Sequence, residues 1–173
     1  MTGSLCWTAS AETRIIDRVI VTELIPATEV VDHADMYLEV NLRFSPQPEH
    51  HLRYCYFEDL EGGPGRGYVE VGFTEETGAI AEVVVITRPA WTGKFPADVP
   101  VVDGSIRVDR GNWDVDPRIN FIRERGAHSV STKDKMVYYA VSGVPPAKFV
   151  RSGPVGFGLG EAGELTGFVT GLT

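Results

Sequence analysis

The chain has 173 residues, 24 acidic and 16 basic side chains, and a formal net charge of −8. That sign disfavours a polyphosphate partner such as nucleic acid, because phosphate neutralisation needs a surplus of Lys and Arg. Hydrophobic residues make up 43% and charged residues 23% of the chain, an ordinary globular balance that excludes a disordered composition.

The length suits one domain, since domains typically run roughly 50–200 residues. We take residues 14–173 as that domain. Residues 1–13 read as a flexible segment, or as a first strand tied down by Trp7. They lack a basic stretch followed by an apolar one, and no apolar run reaches the ~20 residues of a membrane span. The expectation is a cytoplasmic protein with no membrane partner. Two cysteines, Cys6 and Cys55, leave one bridge open without implying it.

In chain order, residues 15–25 are rich in β-branched side chains and end at Pro26, which favours a strand. Residues 36–44 alternate, with Met36, Leu38, Val40, Leu42 and Phe44 on one face and Tyr37, Glu39, Asn41 and Arg43 on the other. Pro46 and Pro48 force a turn before a strand at 52–57, and the Gly-rich run 61–67 is a loop. Strands at 68–73 and 80–87 flank a turn whose Gly78 supplies the positive φ a tight hairpin needs. A Pro- and Trp-containing connection, 89–100, leads to a strand at 101–108 interrupted at Asp103-Gly104.

Residues 116–125 carry the signals of a short helix: Asp116 to cap, Pro117 at the first position, Arg123 and Arg125 near the end, and Gly126 as the stop. Strands follow at 136–141, 155–159 and 165–172. About nine strands and one short helix predict a mainly β fold, an antiparallel β-sandwich or β-barrel.

The segment beginning Val71-Gly72-Phe73 is echoed 86 positions later by Phe157-Gly158-Leu159, and Val83-Val84 is echoed 85 positions later by Phe168-Val169. Leu52 and Tyr54 match Val137 and Tyr139 at the same 85. Either the chain consists of two related halves, or two hairpins share one turn chemistry.

No catalytic signature stands out. His33, His50 and His51 do not form a metal-ligand pattern, because adjacent histidines on a strand face opposite ways, and no metal is expected. Cys55 reads as a small buried hydrophobe rather than a nucleophile. The loop Gly62-Gly63-Pro64-Gly65-Arg66-Gly67 lacks the Lys and Ser or Thr that would grip a phosphate, so no cofactor is expected. Gly156 and Gly158 leave one face of their strand as bare backbone, which admits close packing of another element.

Trp91 and Trp113, in loops, are the candidate anchors for a ligand or partner, with Tyr54, Tyr56, Tyr138 and Tyr139 as polar handles. The alternative for each tryptophan is that it plugs one end of the fold. In size, acidity and β-content the chain is similar to small bacterial immunity proteins that block a cognate toxin; the likeness is one of class and rests on no diagnostic residue. The leading expectation is a non-catalytic binding protein that engages a basic protein partner. The second is a β-barrel that binds or isomerises an apolar small molecule in its cavity. The third is a structural module that forms homo-oligomers through its edge strands.

Overall fold

The computed structural model describes residues 19–46, 51–59, 66–109, 111, 113 and 121–172. These form fourteen strands: β1 (Val21–Ile25), β2 (Val30–Asp32), β3 (Val40–Phe44), β4 (Leu52–Asp59), β5 (Tyr68–Thr74), β6 (Ile80–Thr87), β7 (Val101–Asp103), β8 (Ser105–Val108), β9 (Phe121–Gly126), β10 (Ser129–Lys133), β11 (Met136–Ala140), β12 (Lys148–Ser152), β13 (Val155–Leu159) and β14 (Leu165–Thr170). Two six-stranded sheets run in the orders β2-β3-β6-β5-β4-β9 and β10-β11-β14-β13-β12-β7, and β1 and β8 make a two-stranded ribbon.

The sheets share one core. Val40, Leu42, Phe44, Val71, Phe73 and Val83 of the first meet Tyr139, Val150, Phe157, Leu159 and Phe168 of the second in a single buried cluster. The Phe44 and Phe157 rings touch across it at 5.3 Å. Alternation does the sorting: in β3 the odd-numbered Asn41 and Arg43 face out while Val40, Leu42 and Phe44 are buried. Each sheet ends in edge strands, so neither closes into a barrel, and the expectation of a barrel is corrected.

The two strand orders correspond position by position, pairing β2 with β10, β3 with β11, β6 with β14, β5 with β13 and β4 with β12. The sixth strand of each sheet, β9 or β7, comes from the stretch between β6 and β10 and runs parallel to its neighbour. Register agrees near the turns: Val71 pairs with Val83 and Phe157 with Phe168, and both ladders shift register after the following glycine, Gly72 or Gly158, while β5–β6 has a further shift at Tyr68 and Val69. The ribbon obeys the same relation. Val21 pairs with Val108, the Val21 amide donates to the Gly163 carbonyl at 2.8 Å, and the Val108 amide donates to the Gly78 carbonyl at 2.9 Å. Gly78 and Gly163, at the two hairpin turns, have φ of 72° and 84°. The echo around the turns is therefore repeated in the strand pairing. The upstream part of the echo is not: β12 stands where β4 does, while β11, with Val137 and Tyr139, stands where β3 does.

The helix expected over 116–125 is also corrected. Residues 121–126 are β9, in register with β4 from Tyr54↔Phe121 to Asp59↔Gly126, and residues 116–120 lie outside the described residues. Among the described residues there is no helix, so none is long and apolar enough to cross a membrane. The local signals for a helix lose to the ladder: β9 alternates Phe121, Arg123 and Arg125 with Ile122 and Glu124, and the edge of β4 offers its hydrogen bonds. The expected strand from Met36 starts at Val40 instead. Asp35 Oδ1 accepts the Tyr37 and Leu38 amides at 2.7 and 2.8 Å and turns the chain, leaving Met36 and Tyr37 86% and 82% exposed.

Candidate functional site

The connection from β6 to β7 crosses the outer face of the second sheet as a strap. Pro89, Pro96 and Pro100 fit a strap that pairs with the sheet only at the single bridge from Thr92 to Val130. It is tied at one edge, where the Gly93 amide donates to the Val130 carbonyl and the Val130 amide to the Trp91 carbonyl, both at 2.9 Å. At the other edge the Phe149 amide donates to the Pro100 carbonyl at 2.8 Å, just before β7 begins.

Beneath the strap lies a second, smaller core. Tyr138, Ala140, Phe149 and Val169 are buried there, with Phe95 and Val99 of the strap packed on them. Tyr138 sits edge-on to Phe149 at 5.7 Å and to Phe95 at 6.4 Å. Its hydroxyl meets Thr166 Oγ1 at 3.2 Å, and burial pushes its pKa up to about 12 against the lowering effect of that bond. The bare backbone of β13 lets neighbours descend: a Cβ on Gly158 would come within 2.7 Å of Thr166 Oγ1 and 3.2 Å of Pro146 Cβ. Close packing is thus what the alternating glycines provide.

Strap and sheet do not meet everywhere. Between Trp91–Val99 of the strap and the β11–β12 loop runs an open groove of ≈ 660 Å³. Phe95, Val99, Tyr138, Ala140, Pro145 and Pro146 give it apolar walls, and Asp59, His128, Ser129 and Ser142 give it a polar end at the β10 edge. His128 is 1% exposed, and its Nδ1 donates to the Gly67 carbonyl at 2.7 Å, since a carbonyl can only accept. Burial lowers its pKa despite the Gly67 and Val141 carbonyls and the Asp59 charge, so the ring is neutral at pH 7. It ties the β4–β5 loop of one sheet to the start of β10 in the other.

Trp91, 52% exposed, and Tyr138 both line this groove. The other sequence candidates lie elsewhere. Tyr54 and Tyr56 stand on the outer face of the first sheet, their rings parallel at 6.1 Å, with Tyr68 at 5.4 Å and Phe121 at 5.0 Å from Tyr56. Burial first, then the Glu70 carboxylate, raises the pKa of both hydroxyls. Tyr139 points the opposite way from Tyr138, into the main core, stacked on Phe168 at 4.9 Å. Trp113 is 9% exposed and packs edge-on to Phe73 at 5.8 Å, the plug of the main core.

Cys55 is fully buried and its thiol is pushed well up by that burial; Cys6 lies outside the described residues. His33 and His51 are exposed, and His50 lies outside the described residues. Among the described residues no group of three His, Cys, Asp or Glu converges as a metal site. Sequence reasoning missed Lys94, Phe95, His128, Pro145 and Pro146. The one signal that pointed toward them was the Pro- and Trp-containing composition of the connection after β6. No protein-family model and no curated protein matches the chain.

Proposed function

We propose that this chain is a non-catalytic binding protein that holds an apolar small molecule in the groove beneath the strap. The carrying observation is the groove itself. Its ≈ 660 Å³ falls within the roughly 300–1,000 Å³ of ligand sites, and aromatic and proline side chains form its walls with a few polar groups at one end. The small molecule expected from the sequence is thus assigned a place outside the core rather than inside a barrel. In this reading the two sheets are the layers of a β-sandwich, and two related halves supply them.

The test is a titration of the intact protein with the neutral fluorophore N-phenyl-1-naphthylamine. Saturable uptake at one site, with quenching of tryptophan emission that is lost in Trp91→Ala, supports the reading. Absence of saturable uptake removes it.

A second reading, a basic protein partner of the toxin-immunity kind, is favoured by the β2–β3 connection. Met36 and Tyr37 project from it almost fully exposed, held by the Asp35 turn and flanked by Asp32, whose Oδ1 accepts the Ala34 amide at 2.8 Å. On this reading the anchor is Met36 and Tyr37 rather than Trp91, which lines the groove, or Trp113, which is buried. Salt-sensitive capture of a partner by the native chain, lost in Met36→Asp, is the expected sign.

A further inference from the structure

The groove is asymmetric in charge as well as polarity. Of its charged lining residues, Asp59 is buried at 8% exposure, whereas Lys94 is exposed. Lys94 stands between Gly93, pinned to Val130, and Phe95, packed on Tyr138, so the backbone on both sides of it is fixed. It makes no ion pair among the described residues. Ser142 Oγ accepts the Val144 amide at 3.2 Å, which leaves its own proton to donate. Ser129 lies against Gly93 at the same end.

On the reading that the groove is a ligand site, we propose that its occupant is an anionic amphiphile: an apolar chain or ring system bearing a carboxylate or sulfonate. The apolar body lies between Phe95 and Val99 on one side and Pro145 and Pro146 on the other. The head group meets the Lys94 ammonium and the Ser142 hydroxyl. The overall charge of −8 opposes any anion, but over distances beyond about 8 Å that field is screened at physiological salt, while a direct pairing with Lys94 is not. Affinity for the anion is therefore local, a balance between Lys94, exposed at the groove, and Asp59, buried at its polar end.

The experiment compares two probes with the same ring system on the intact protein, the anionic 8-anilinonaphthalene-1-sulfonate and the neutral N-phenyl-1-naphthylamine. Dodecanoate and dodecanol serve as competitors. Both probes are expected to bind, with dodecanoate displacing them better than dodecanol. Lys94→Glu is expected to lower the preference for the anionic over the neutral probe by about 5–10-fold, roughly the effect of reversing one exposed charge beside the head group. Lys94→Arg should keep that preference. If both probes bind in a Trp91-dependent way but Lys94→Glu leaves the preference unchanged, the head-group assignment falls and the groove stands. If neither probe binds, both fall.

Discussion

Arg43 and Glu82 stand directly opposite each other on the β3–β6 ladder and form an ion pair on the outer face of the first sheet. The Glu82 side chain is only 3% exposed, against 36% for Arg43. Gly72 explains the burial: a Cβ there would lie 2.7 Å from Glu82 Cγ, so the missing side chain is what seats the carboxylate. Removing one partner of such a pair leaves the other uncompensated. Glu82→Ala should cost about 3 kcal/mol, the low end for a buried pair because Arg43 still reaches water, and lower the midpoint of thermal unfolding by roughly 6–12 °C. Replacing both residues, Arg43→Met with Glu82→Leu, should recover most of the loss. A single-variant cost under about half a kcal/mol would show that the pair is idle.

Trp91 and Trp113 should separate cleanly. Trp113 fills the end of the main core against Phe73, so Trp113→Ala should cost about 3–5 kcal/mol in urea unfolding. Trp91 is half in solvent, and Trp91→Ala should stay within about 1 kcal/mol while abolishing probe-dependent quenching. The reverse order of stabilities would mean that Trp91, not Trp113, is the plug.

Tyr138 gives the fold an alkaline limit. Its pKa is about 12 in the folded chain, against about 10 unfolded, so folding favours the protonated form. That contribution is fully present below pH 10 and is lost as pH rises from 10 through 12, amounting to about 2–3 kcal/mol. Stability measured against pH should therefore fall over this window, and less steeply in Tyr138→Phe. Equal slopes in the two proteins would show that the hydroxyl is not shielded.

Cys55 should be silent until the chain opens. It is 0% exposed, between Tyr54 and Tyr56 on a strand paired on both sides, and its thiol pKa is raised by burial. In a Cys6→Ser variant, reaction with Ellman's reagent should track global unfolding across a denaturant series. Fast labelling in native buffer would place Cys55 at an opening in the first sheet.

Much of the fold was legible where alternation or β-branching is strong: residues 80–87 and 155–159 are β6 and β13 to the residue, and the break at Asp103-Gly104 separates β7 from β8. The strands that escaped are short or polar, as in Val30–Asp32, Ser129–Lys133 and Lys148–Ser152, and become strands because a neighbouring ladder accepts them. The parallel strand β9 was hidden by its good helix signals, since nothing local reports the open edge of β4. The groove was half visible. Trp91 and Tyr138 could be flagged by type, but Lys94, His128 and Pro146 meet only because the strap, the β9–β10 turn and the β11–β12 loop converge.

The central ribbon sets an order of events during synthesis. Val21 hydrogen-bonds Gly163, and the Leu165 amide donates to the Val19 carbonyl at 2.9 Å, so the beginning of the described chain is held by its last hairpin. The first sheet also waits for β9, whose residues follow β4 by 67 positions. A ribosome that has delivered only the first half has therefore made a sheet with an open edge and an unpaired ribbon strand, a template for wrong association. β8 then pairs with β1 and β9 with β4, and the β13–β14 hairpin adds its hydrogen bonds to Val19 and Val21, so folding should be slow, as distant pairings demand.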